Sequence, residues 1–126
     1  MEAEFLTREE ELLLKSRFII LKKSNLINPL ILKKLNKLNS IEGFVVVDSD
    51  INKNSSFIAI KFTEDLTYPI TELIHKIVDE DNNVTVEWNT HINFIYLNET
   101  QTITNVTIIK NINIDIFTKF ISYLTD

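Results

Sequence analysis

The chain has 126 residues, a net charge of −5, one Gly and no Cys. That length makes one domain, large enough to bury a core without disulfide staples. The missing Cys exclude a disulfide framework, a thiolate metal site and a Cys nucleophile, and a lone Gly excludes the Gly-rich phosphate loops of nucleotide-binding proteins.

The charge is unevenly spread. Residues 1–12 carry a net of −4, residues 13–38 a net of +7 with no acid, and the remainder −8. An acidic chain lacks the broad basic footprint that duplex nucleic acid needs, so no nucleic-acid partner is expected. The basic stretch is read first as the solvated face of a helix. Its second reading is a partner or membrane contact through Lys15, Arg17, Lys22 and Lys23. The acidic N-terminus has no apolar core of a secretory signal, and no apolar run exceeds four residues. The expectation is a cytoplasmic chain with no transmembrane segment, peripheral to a membrane only through a partner.

Taken in order, the elements begin with a helix over 7–23. Thr7-Arg8-Glu9-Glu10 fits a capping box, with acids in the first turn and Lys22 and Lys23 in the last, as the helix dipole favours. A second helix opens at Asn28 and Pro29, and Ile31, Leu35 and Leu38 form its apolar stripe. Gly43–Asp48 reads as a buried strand and Phe57–Phe62 as its hairpin partner, joined by a polar turn over 49–55. Thr67-Tyr68-Pro69 opens a third helix of about 70–79, with Ile70, Leu73, Ile74, Ile77 and Val78 at helical spacing. Three strands are then predicted: Val84–Trp88, Ile92–Leu97 and Thr102–Ile109, with turns at Asn89-Thr90 and Asn98–Thr100. A last helix starts near Asn113 or Asp115. The expected fold class is α+β, a single domain with a five-stranded, mostly antiparallel sheet covered by helices. It is divided into an N-terminal helical extension, 1–27, and the domain proper, 28–126.

The search for chemistry yields no catalytic residue, no cofactor and no metal set. His75 has Glu72 and Asp79 within helical reach, but no second His at metal-ligand spacing, so an ion pair or hydrogen bond is expected. His91 falls in a predicted hairpin turn. No Ser stands in a nucleophile motif. Asp48, Asp50 and Asn52 mimic the start of a calcium loop, yet Lys53 replaces its Gly and Ala59 its final Glu. Trp88 reads as a core or interface residue before a stacking platform. What remains is surface, and the short strand Val84–Trp88 reads as a sheet edge able to pair with another copy.

At this point the pattern resembles the roadblock family, the fold of roadblock-type dynein light chains and GTPase-regulator scaffolds. Leu35–Asp50, LNKLNSIEGFVVVDSD, is similar to that family's opening, with Gly43 at the start of the first strand. Val84–Lys110 is similar to its closing three-strand meander, and the resemblance covers about 28–124. It implies a non-enzymatic homo- or heterodimer, in which middle helices pack together and third strands pair across a two-fold axis. The interface would hold Leu73, Ile74, Ile77, Val78, Val84, Val86 and Trp88, and would bury on the order of 1,600 Å². Such dimers are scaffolds for a small GTPase or for motor and cargo subunits. The alternatives are an acidic secretion-type chaperone, with exposed apolar grooves flanking a dimer, and an inhibitor- or immunity-type monomer that sets an acidic face against a basic enzyme.

Overall fold

A computed structural model describes residues 4–24, 29–50 and 56–125, with Leu30 described by its backbone alone. Helix α1, Arg8–Lys23, begins on the expected capping box: the Glu10 amide donates to Thr7 Oγ1 at 3.1 Å and the Thr7 amide to Glu10 Oε1 at 3.1 Å. Helix α2, Pro29–Asn39, starts at Pro29 as expected; its predicted cap, Asn28, lies outside the described residues. Strands β1, Phe44–Asp50, and β2, Phe57–Phe62, form an antiparallel pair, and 51–55 of the connecting turn lie outside the described residues. A short 3-10 turn over Glu64–Leu66 leads into α3, Thr67–Glu80, which is longer than its sequence pattern suggests. Strands β3, Thr85–Tyr96, and β4, Glu99–Lys110, follow, then α4, Ile114–Thr125, which Asn113 caps by accepting the Ile116 amide at 2.9 Å.

The sheet has four strands in the order β1-β2-β4-β3, all antiparallel. This corrects the expectation of five. The two strands expected over 84–88 and 92–97 are one, and Asn89-Thr90 does not turn the chain. Asn89 does adopt a left-handed backbone (φ 54°), but so does Asn105 opposite (φ 54°). Pairing runs from Thr85↔Lys110 to Glu87↔Ile108, shifts at Thr90↔Val106, and shifts back by Ile92↔Ile103. Each strand therefore carries one extra residue at the same level, two bulges that compensate and leave the register intact beyond them.

These bulges also swap faces. With a strict period of two, Val86, Ile92 and Phe94 would all point the same way. Instead Val86 packs with the core under α2, α3 and α4, whereas Ile92 and Phe94 pack with a second cluster on the opposite face. The first cluster is built from Ile31, Leu35 and Leu38 of α2, Ile70, Ile74 and Ile77 of α3, Phe117 and Phe120 of α4, and Phe44, Val46, Ile58 and Ile60 of the sheet. The second holds Leu6, Leu14, Val45, Val47, Ala59, Ile103 and Val106. Helix α1 straddles the β1 edge, with Leu14 in the second cluster and Phe18 in the first. The far half of the β3–β4 hairpin is a two-stranded arm that lies over the α1 side, its Phe94 ring beneath the Arg17 guanidinium at 4.3 Å.

Candidate functional site

The two edges of the sheet differ. At β1 three backbone groups have partners outside the sheet. The Val46 amide donates to Asn39 Oδ1 at 3.1 Å, the Phe44 amide to the Ile41 carbonyl at 3.3 Å, and the Val47 carbonyl accepts from Arg17 Nη1 at 2.9 Å. Glu11 joins this edge: its Oε2 accepts from Lys15 Nζ at 2.7 Å and from the Gly43 amide at 2.9 Å. Burial pushes the Glu11 carboxyl up, but the bonds from Lys15 and Gly43 and the charges of Lys15 and Arg8 outweigh it and hold the group below its ordinary value. Strand β3, by contrast, is the last strand of the described sheet, and no described strand pairs with its outer side. From Thr90 to Tyr96 it carries no acid and no Lys or Arg, the residues that usually blunt such an edge. Ile95 is 74% exposed, and Leu97 in the following turn is 71% exposed.

The structure separates the expected interface residues. Leu73, Ile74, Ile77 and Val84 are buried in the chain's own core, and Val78 and Val86 pack against it half-buried. The apolar stripe of α3 thus faces inward, and its outer face carries Tyr68, Glu72, His75, Lys76, Asp79 and Glu80. Trp88 alone of that group is exposed, at 43%. Among the basic residues, Lys15 bonds Glu11 and the Ile41 carbonyl and so ties α1 to the segment before β1, while Arg17 bonds Val47 and covers Phe94 and so holds α1 to its own sheet. Lys22 and Lys23 are exposed at the end of α1.

A second feature of β3 was not visible in the sequence. The β2–β4 pairing stops at Ile60↔Thr107, because the bulge at Asn105 carries β4 away from Lys61 and Phe62. The fork that opens is a cavity of about 310 Å³. Its walls are Lys61 and Phe62 of β2, Asn105 and Thr107 of β4, and Trp88 and Asn89 of β3; Thr67, Thr71 and His75 of α3 and Glu4-Phe5 complete it. His75 does not pair with the acids of its own helix here. Its ring neighbour is Trp88, at 6.2 Å between centroids and tilted by 31°. Lys61 is 1% exposed at its side chain, and its Nζ donates to Glu10 Oε2 of α1 at 3.0 Å. A signal existed, in hindsight, in two Asn placed inside strands, where left-handed backbone marks a bulge.

A larger cavity, about 430 Å³, lies between α1, α2 and the end of β1, and its wall reaches Asp50, next to undescribed residues 51–55. Asp48, part of the expected calcium-loop mimic, accepts the Ser49 amide at 2.9 Å from within β1, and Asn52 lies outside the described residues. Among the described residues no three His, Asp or Glu gather to hold a metal, and no helix is long and apolar enough to cross a membrane. No protein-family model, curated protein or solved structure matches this chain.

Proposed function

We propose that the protein is a binding module that dimerises by pairing β3 with β3 of a second copy, extending the sheet across a two-fold axis. The observation that carries this reading is the contrast of edges: β1 is capped by α1 and Asn39, whereas β3 is open, long and free of blunting charge over 90–96. An antiparallel strand pair is self-complementary, which is what a two-fold dimer requires. Ile95 and Leu97 add exposed apolar contact at the end of that edge. The helix-to-helix half of the roadblock interface has no part in the proposal, since Leu73, Ile74 and Ile77 are already buried. A strand pair alone falls at the low end of interface sizes, below about 1,200 Å², so a concentration-dependent dimer is expected. The resemblance to roadblock scaffolds supplies the partner class, a small GTPase or a motor or cargo subunit. Affinity measurements against purified GTPases in both nucleotide states test that part.

The dimer is tested by light scattering over a range of concentrations, on the wild type and on Ile95→Lys. Ile95 is exposed, so the substitution leaves the core intact, and in a two-fold pair it sets two like charges near the shared edge. The expected result is a wild-type dimer and a monomeric, folded variant. A wild type that stays monomeric at the highest concentration would rule out strand pairing and favour an inhibitor-type 1:1 binder.

A further inference from the structure

The cavity at the sheet fork lies beside the 90–96 edge, with Trp88 and Asn89 of the same strand in its wall, and several unrelated features converge on it. The first is its origin. It exists because two left-handed Asn residues bend both strands of one hairpin at the same level, and bulges of this kind recur beside functional sites. The second is an orphan group: Thr67 Oγ1 is buried and has no hydrogen-bond partner among the described residues, a state that protein interiors rarely tolerate. The third is the lining. Threonines (Thr67, Thr71, Thr107), asparagines (Asn89, Asn105) and a histidine (His75) line one space. The fourth is the mouth, where the half-exposed Trp88 presents an aromatic face beside His75.

The chemistry of that lining selects a ligand class. The one ammonium in the wall, Lys61, is already met by Glu10, so the cavity offers no uncompensated positive charge to a phosphate or carboxylate. Glu4 at the rim disfavours an anion further. Trp88 and His75 are tilted, not parallel, and so form one open stacking wall and not a slot for a planar base. Amides and hydroxyls that both donate and accept suit a ligand dense in hydroxyl groups, and an aromatic wall suits its apolar C–H face. A volume of about 310 Å³ is at the small end of ligand cavities. We infer that the fork binds a small uncharged polyhydroxyl ligand, a single sugar unit, through Thr71 and His75 with Trp88 as its stacking face.

Trp88 is the only Trp in the chain, so fluorescence excited selectively at Trp reports on a residue in the wall of this cavity, and Ile95→Lys controls for the effect of dimerisation on the same strand. The experiment titrates glucose, galactose, mannose and N-acetylglucosamine into the wild type, Thr71→Val, His75→Ala and Ile95→Lys, with adenosine and inorganic phosphate as counter-probes. Circular dichroism establishes that each variant is folded. The expected result is a saturable change with at least one sugar, weakened about five-fold by Thr71→Val and by His75→Ala, as the loss of one hydrogen bond predicts. Ile95→Lys, off the cavity, should bind as the wild type does, which separates this result from the fate of the dimer. The inference is overturned if no sugar gives a saturable change, if both cavity variants bind undiminished, or if adenosine or phosphate saturates the signal and the sugars do not.

Discussion

Gly43 shows how much one residue can hold. Its backbone is left-handed (φ +79°), and an added Cβ would sit 2.8 Å from Thr63 Oγ1. Gly43→Ala therefore meets both a backbone penalty of about 1–2 kcal/mol and a clash that Thr63 must relieve. The urea midpoint should fall with little change in slope. The amide of the same residue donates to Glu11, whose carboxyl is held below its ordinary value. The sign follows from that lowering. Glu11 contributes stability above its unfolded-state pKa and loses it as pH falls through the folded one. Glu11→Gln should therefore be less stable than the wild type at neutral pH, and the difference in urea midpoint should narrow as pH falls below the ordinary Glu range. The sequence showed Gly43 as a strand opener and Glu11 as an acid favoured by the helix dipole. It could not show that they bond each other, because 32 residues separate them and only the packing of α1 along β1 brings them together.

At the scale of elements, the β3–β4 turn carries a cost that its residues advertise. Leu97 (φ 52°) and Asn98 (φ 64°) both adopt left-handed backbone, the pattern of a two-residue hairpin turn that favours Asn-Gly. A Leu in that conformation, exposed, gains nothing from burial. Leu97→Asn with Asn98→Gly should raise stability by about 1 kcal/mol, measured as a higher melting temperature. If Leu97 serves the dimer, the same variant should also dimerise less well in light scattering. Helices α1, α2 and α4 were legible because their caps and stripes are local: Thr7 with Glu10, Pro29 at a first turn, Ile116 with Phe117 and Phe120. The single β3 was not. Val84, Val86 and Trp88 and then Ile92, Phe94 and Tyr96 alternate cleanly on either side of Asn89-Thr90, and two clean alternations with an Asn between them read as two strands. The bulge that joins them depends on Asn105, across the hairpin, and no local pattern announces it.

For the whole molecule, the layering places three helices on one face of the sheet and α1 with the hairpin arm on the other. The roadblock resemblance assigned the stripe on α3 to a dimer face, and its spacing alone cannot tell an inward stripe from an outward one; the sheet beneath it decides. The candidate cavity was illegible for the same reason, since its lining comes from the N-terminal segment, three strands and a helix. The compensating bulges carry a further consequence. Remove Asn89 and Asn105 together and every apolar residue of the hairpin keeps its side, since Ile92, Phe94 and Ile103 would then fall on the α1 face by simple alternation. The two Asn thus have the form of paired insertions into a ribbon that was already complete without them. The double deletion should fold, lengthen the β2–β4 ladder past Ile60, and close the fork, whereas either single deletion should keep Ile92 opposite Ile103 and leave one bulge beside the fork. A change of two residues that adds no new element would be enough to give a plain sheet its cleft.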